Sequence, residues 1–165
     1  MELEEGLAEN ATLEDVKAFV EGLMEGERNR VATLANISAI LNQYLPKINW
    51  VGFYLVVPEK KMLVLGPFQG SAACTRIRFG EGVVGQAAQR AHTLVVDNVM
   101  AFPGHIACDS RSRSEIVVPV HSGGEVVAAL DVDAPEMDRF HDAEKVFLET
   151  VSRLLGENWN LMTDC

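Results

Sequence analysis

The sequence predicts an α+β fold: an antiparallel sheet with the N- and C-terminal helices on one face and a loop-built pocket on the other. Three observations carry this. Apolar residues recur three and four apart near the two ends of the chain, with one short helical stretch between. The middle is made of short runs rich in β-branched and aromatic residues. Those runs are joined by turn sequences such as Pro58-Glu59-Lys60-Lys61 and Ser122-Gly123-Gly124, which suit hairpins. One domain over residues 1–165 is expected at this length.

Thr12, with Asp15 three positions on, has the pattern of a capped helix start, and a helix is predicted from there to about Met24, where Gly26 interrupts it. A second is predicted from about Asn29 to the stop at Pro46, with Val31, Leu34, Ala35, Ser38, Leu41 and Leu45 as its apolar face. Ile48 to Val57 reads as a strand and Met62 to Leu65 as its hairpin partner. Alternation puts Trp50, Gly52 and Tyr54 on one face, and Val51, Phe53 and Leu55 on the other. Gly66 to Ser71 reads as a turn-rich break, and Cys74 to Arg78 as the approach to a third strand. A short helix follows at Val83 to Ala88; its glycines lack the lysine of a phosphate loop and suit tight packing. Thr93 to Asp97 is a short strand, and the loop from Asn98 to Arg113 is long enough to suggest a functional one. Strands at Ile116 to Val120 and Glu125 to Asp133, then a helix from about His141 to Leu161, complete the chain. The last helix carries an apolar stripe at Phe147, Val151, Leu154, Leu155 and Trp159.

With 14 basic and 24 acidic residues, the net charge of −10 argues against nucleic acid or an anionic membrane as partner. No apolar run approaches the length of a membrane span. Met1-Glu2-Leu3-Glu4-Glu5 lacks the pattern of a signal peptide, and Thr163-Asp164-Cys165 is not a prenylation signal. Three cysteines cannot all pair and lack structural-zinc spacing. A cytoplasmic, reducing setting is expected, where a cysteine is catalytic, redox-active or inert.

The chemistry concentrates around Cys108, between His105 and Asp109 on the long loop, with Glu115 at the start of the next strand. Asp131 and Asp133 are two apart on one strand and so share a face. Two such carboxylates repel unless a cation bridges them or one is protonated. A metal site built from His105, Cys108 and the aspartates has no standard ligand spacing, and no metal is expected. His105 itself is read as a solvated loop residue.

In combination these segments resemble a GAF domain, and more narrowly the free methionine-(R)-sulfoxide reductases. The resemblance runs from about Ile48 to Leu155. It rests on N-W-V-G-F-Y-L at Asn49 to Leu55, G-P-F-Q-G at Gly66 to Gly70 and A-C-T-R-I at Ala73 to Ile77. G-E-G-V-V-G at Gly80 to Gly85, G-H-I-A-C-D at Gly104 to Asp109, S-E-I-V at Ser114 to Val117 and L-D-V-D at Leu130 to Asp133 extend it. The resemblance implies Cys108 as nucleophile and Cys74 as resolving thiol. It implies Glu115, Asp131 and Asp133 as pocket carboxylates, and Trp50 and Tyr54 as an aromatic wall. Glu115 or Asp133 then serves in acid catalysis, with Asp109 among the substrate-binding residues. Many family members have a further cysteine where this chain has Val84, so a two-cysteine cycle is expected.

The residues suit that implication. Free methionine sulfoxide carries an ammonium that clustered carboxylates can accept, and a methyl thioether end that aromatic rings can cover. The substrate carboxylate is left to backbone N–H groups of the long loop, Arg76 or Arg111. No bound cofactor is expected, with reducing equivalents drawn from a thioredoxin-like protein; a homodimer stays open. The alternative is a GAF module that senses a small molecule without reacting with it, against which stand Cys74 and Cys108 together.

Overall fold

The computed structural model describes residues 10–106 and 108–164, so the readings of the N-terminal pentapeptide and of Cys165 lie outside the described residues. Helix α1 spans Leu13–Gly26. Its capping box forms as expected, with Thr12 Oγ1 accepting from the Asp15 amide and Asp15 accepting from the Thr12 amide. Helix α2 spans Arg30–Tyr44, and the Asn29 side chain caps it by accepting from the Ala32 amide. Strands β1 (Trp50–Val57), β2 (Met62–Gly70) and β3 (Arg76–Arg78) follow, then α3 (Gly82–Arg90) and β4 (Leu94–Val96). Strands β5 (Ser114–Ser122) and β6 (Glu125–Ala134) and helix α4 (Asp142–Asn158) complete the order. No described helix is long and apolar enough to cross a membrane.

The six strands form one antiparallel sheet in the order β3-β2-β1-β6-β5-β4. Gly123 and Gly124 both have positive φ in the β5–β6 turn, where L side chains would be strained. Side-chain alternation divides the molecule into two apolar layers. Val51, Phe53, Ile116, Val118, Leu130 and Val132 meet α1, α2 and α4. Trp50, Tyr54, Val117 and Ala129 face the other way, toward Val83, Val84 and Ala87 of α3. The loop face is therefore covered by α3 as well as by loops. Gly85 supports the tight-packing reading of that helix, because a Cβ there would collide with the Arg78 carbonyl.

Two sequence expectations are corrected. The segment from Gly66 to Gly70 is not a break but the second half of β2, paired to β1 from Trp50↔Gly70 to Gly52↔Phe68. The register slips between Gly52 and Tyr54, leaving β2 one extra residue, so Pro67 sits at a bulge where no ladder hydrogen bond is required of it. In α2 the buried face is Leu34, Ile37, Ser38, Ile40 and Leu41, whereas Val31 and Ala35 are exposed. The helix is apolar on several sides, so spacing alone did not select the face.

Candidate active site

The site begins with strand register. Glu115 on β5 lies directly opposite Asp133 on β6, and Asp131 stands opposite Val117. All three carboxylates therefore project from one face, toward α3, at one end of the sheet. Each offers an oxygen, and these oxygens all lie within 4.8 Å of one another. Glu115 and Asp131 are buried, and Asp131 Oδ1 has no hydrogen-bond partner. Burial raises all three pKa values well above the ordinary carboxyl range. Mutual repulsion adds to this, Asp133 acting on Glu115, Glu115 on Asp131 and Asp131 on Asp133. The direct interaction of the two side chains Glu115 and Asp131 raises Asp131 further and, against the other causes, lowers Glu115. The same oxygen spacing suits an ammonium or a divalent cation.

Strand β1 supplies the adjoining wall. Trp50 lies opposite Asp133 and Gly52 opposite Asp131. Trp50 stacks on Phe68 with ring centroids 5.2 Å apart and on Tyr54 at 6.0 Å. A Cβ on Gly52 would collide with Phe68, so glycine is what lets these rings meet. The polar tips point to one segment: Trp50 Nε1 donates to the Ser71 carbonyl at 3.0 Å, and Tyr54 Oη to the Cys74 carbonyl at 3.1 Å. The aromatic wall thus also holds the connector bearing Cys74.

Cys74, just before β3, is disulfide-bonded to Cys108 in the long loop, with Cα atoms 5.6 Å apart. Cys108, Trp50, Tyr54, Glu115, Asp131 and Asp133 line one pocket. Its cavity is about 40 Å³, room for a few waters. Val84, at the position where a third cysteine was expected in relatives, lines the same pocket.

Asp109 is engaged differently from the other three acids. Its carboxylate accepts from Arg111 Nη2 at 2.8 Å and from Asn49 Nδ2 at 3.2 Å. Arg111 holds its pKa down at about 2. It is an ionised loop anchor at the pocket rim. His105 also lines the pocket, and burial lowers its pKa, so the solvated reading is corrected to that of a half-buried, neutral imidazole. Sequence reasoning missed Asn49 and Ser71, which bond to residues about 60 and 40 positions away, and Val83 and Ile77 in the pocket wall. Asn49 opens the N-W-V-G-F-Y-L motif, the one signal that pointed at it.

Comparison with known proteins fits this geometry. The GAF domain family model matches residues 29–159. The chain is 47% identical over 142 residues to GAF domain-containing protein A of Dictyostelium discoideum, covering 86% of this chain and 89% of that one. It is 46% identical over 131 residues to the free methionine-R-sulfoxide reductase of Escherichia coli, covering 79% and 78%. The X-ray structure of free methionine-R-sulfoxide reductase from Neisseria meningitidis in complex with its substrate superposes with a TM-score of 0.88. That pair is 41% identical, covering 95% of this chain and 93% of the other. A sheet that sets three clustered carboxylates and two aromatic rings beside a cysteine pair, over a chain this similar to those reductases, places the protein in the GAF-domain family and, within it, among the free methionine-R-sulfoxide reductases.

Proposed function

We propose that the protein reduces free methionine (R)-sulfoxide to methionine, with Cys108 as nucleophile and Cys74 as resolving thiol. The observation that carries this reading is the carboxylate trio facing the same pocket as Cys108. The Cys74–Cys108 disulfide must be reduced before Cys108 can attack, so the dithiol form is the one that turns substrate over. The ammonium then sits among Glu115, Asp131 and Asp133 and relieves their repulsion, while Trp50 and Tyr54 cover the methyl thioether end.

Cys108 attacks the sulfoxide sulfur, and a protonated carboxyl of the trio, Glu115 or Asp133, gives its proton to the departing oxygen. With a second proton from the thiol, the oxygen leaves as water and Cys108 is joined to the methionine sulfur. Water then adds to the Cys108 sulfur and breaks that sulfur–sulfur bond, so methionine departs, a proton is released and Cys108 is left as a sulfenic acid. The Cys74 thiol displaces the sulfenic oxygen as water, closing the disulfide. A thioredoxin-like dithiol protein returns two electrons and two protons. Neighbouring carboxylates would hold a thiol above its usual pKa of about 8.5, opposing attack. The substrate ammonium and the trio's retained proton lessen that opposition, so Cys108 ionises best with substrate bound. Electrons move between sulfur atoms throughout, and no step calls for a metal.

The carboxylate cluster predicts selectivity for the free amino acid. N-acetylation removes the ammonium, and kcat/KM is expected to fall by about 100-fold or more, the loss of a buried ion pair. Comparable turnover of N-acetylmethionine sulfoxide and free methionine (R)-sulfoxide, followed by chromatography of the thioether product, would contradict this reading.

A further inference from the structure

Arg111 joins the two cysteine-bearing segments. Its Nη2 donates to Ser71 Oγ at 2.6 Å, three residues before Cys74. Its backbone N–H and Nε donate to Asp109 Oδ1 at 2.9 and 3.2 Å, and Asp109 directly follows Cys108. The Cys74 segment is already fixed to β1 through Trp50 and Tyr54. The Cys108 side has Asn49, which donates to Asp109 and to Ser112 Oγ. Of the described hydrogen bonds, Arg111 to Ser71 is the one that crosses from the Cys108 loop to the connector bearing Cys74.

We propose that Arg111 is a positioning residue for disulfide closure, a clasp that raises the effective concentration of Cys74 at Cys108. The planar guanidinium suits the task, because one fork can hold a carboxylate and a hydroxyl in fixed directions at once. The ion pair with Asp109 leaves the Arg111 side chain 59% exposed, so it adds little to folding stability. Its consequence is geometric: without it the Cys108 loop samples positions farther from Cys74. The role in turnover rests on the function proposed above, whereas the effect on the thiol–disulfide equilibrium does not.

Redox titration against glutathione tests the clasp directly. The protein dithiol and glutathione disulfide give the protein disulfide and two glutathione thiols, so the equilibrium constant reports the effective concentration of the two cysteines. Arg111→Ala is expected to lower that constant by about tenfold, the scale of one charge-assisted hydrogen bond. Arg111→Lys should fall between, since an ammonium can reach Ser71 but cannot hold both partners in a fork. Ser71→Ala should weaken the constant too, and the double variant should be no worse than Arg111→Ala alone. In turnover, Arg111→Ala should close the disulfide more slowly once methionine has been released, so that dimedone traps more sulfenic acid per methionine formed.

An unchanged glutathione equilibrium in Arg111→Ala overturns the proposal. So does a raised KM for methionine sulfoxide with that equilibrium unchanged, which assigns Arg111 to the substrate carboxylate. Wild-type protein that releases no methionine sinks the proposed function and leaves the glutathione titration to decide the clasp.

Discussion

Cys108→Ser is expected to release no methionine, even when enzyme is supplied in excess over sulfoxide. A serine hydroxyl has neither the acidity nor the nucleophilicity of a thiol toward a sulfoxide sulfur. Cys74→Ser is expected to behave in the opposite way. Cys108 keeps its carboxylate neighbours and its aromatic wall, so one methionine per enzyme appears and the sulfenic acid persists for trapping. Turnover with thioredoxin then fails, because no disulfide forms for a dithiol to reduce. Quantifying methionine per active site in a rapid-quench experiment separates the two variants. Methionine release by Cys108→Ser but not by Cys74→Ser would exchange the roles.

Asp131→Asn is expected to lower kcat/KM by about 100-fold, the loss of one buried carboxylate partner of the substrate ammonium. It should also make the folded protein more stable at pH 8, read as a rise in Tm, because a neutral amide avoids the buried charge. Both effects come from burial. Asp131 is 5% exposed, its Oδ1 lacks a hydrogen-bond partner, and burial and then Glu115 raise its pKa well above the usual range. Between the ordinary carboxyl pKa near 4 and the raised values of the trio, the folded state holds protons that the unfolded chain has released. Wild-type stability therefore falls as pH rises through that window, and Asp131→Asn should flatten the slope. Below about pH 4 the unfolded carboxyls are protonated too, and the advantage of the variant should vanish.

Asp109 runs the other way. Its lowered pKa of about 2 gives a contribution that is small because solvent screens Arg111, present above the ordinary carboxyl range and lost as pH falls toward that value. Thermal melts from pH 4 to 9 check the Asp131 prediction. A variant less stable than wild type at pH 8, or one fully active, would refute the view that the trio is strained for function.

The sheet and its pocket face were legible because they follow from a period of two. Alternation puts Trp50 with Tyr54, and Asp131 with Asp133, on shared strand faces, and the strand register then brings both pairs and Glu115 to one side of the sheet. The capping box at Thr12 and the turn at Gly123-Gly124 are local signals of the same quality. What escaped depends on partners distant in the chain. Gly66 and Pro67 look like a break until β1 is laid beside them and the bulge absorbs the proline. The buried face of α2 is chosen by the sheet it meets, and Val31 is left outside. Arg111, Ser71 and Asn49 carry no pattern that announces their bonds, which exist only after β1, the β2–β3 connector and the long loop converge.

The cycle itself is tested most directly by mixing reduced protein with one equivalent of free methionine (R)-sulfoxide, digesting without reductant and mapping the peptides by mass spectrometry. The account predicts one methionine released per protein and a single new link between the Cys74 and Cys108 peptides, with Cys165→Ser turning over normally. Methionine release accompanied by a Cys108–Cys165 link, or a sulfoxide left intact by fully reduced protein, would contradict it.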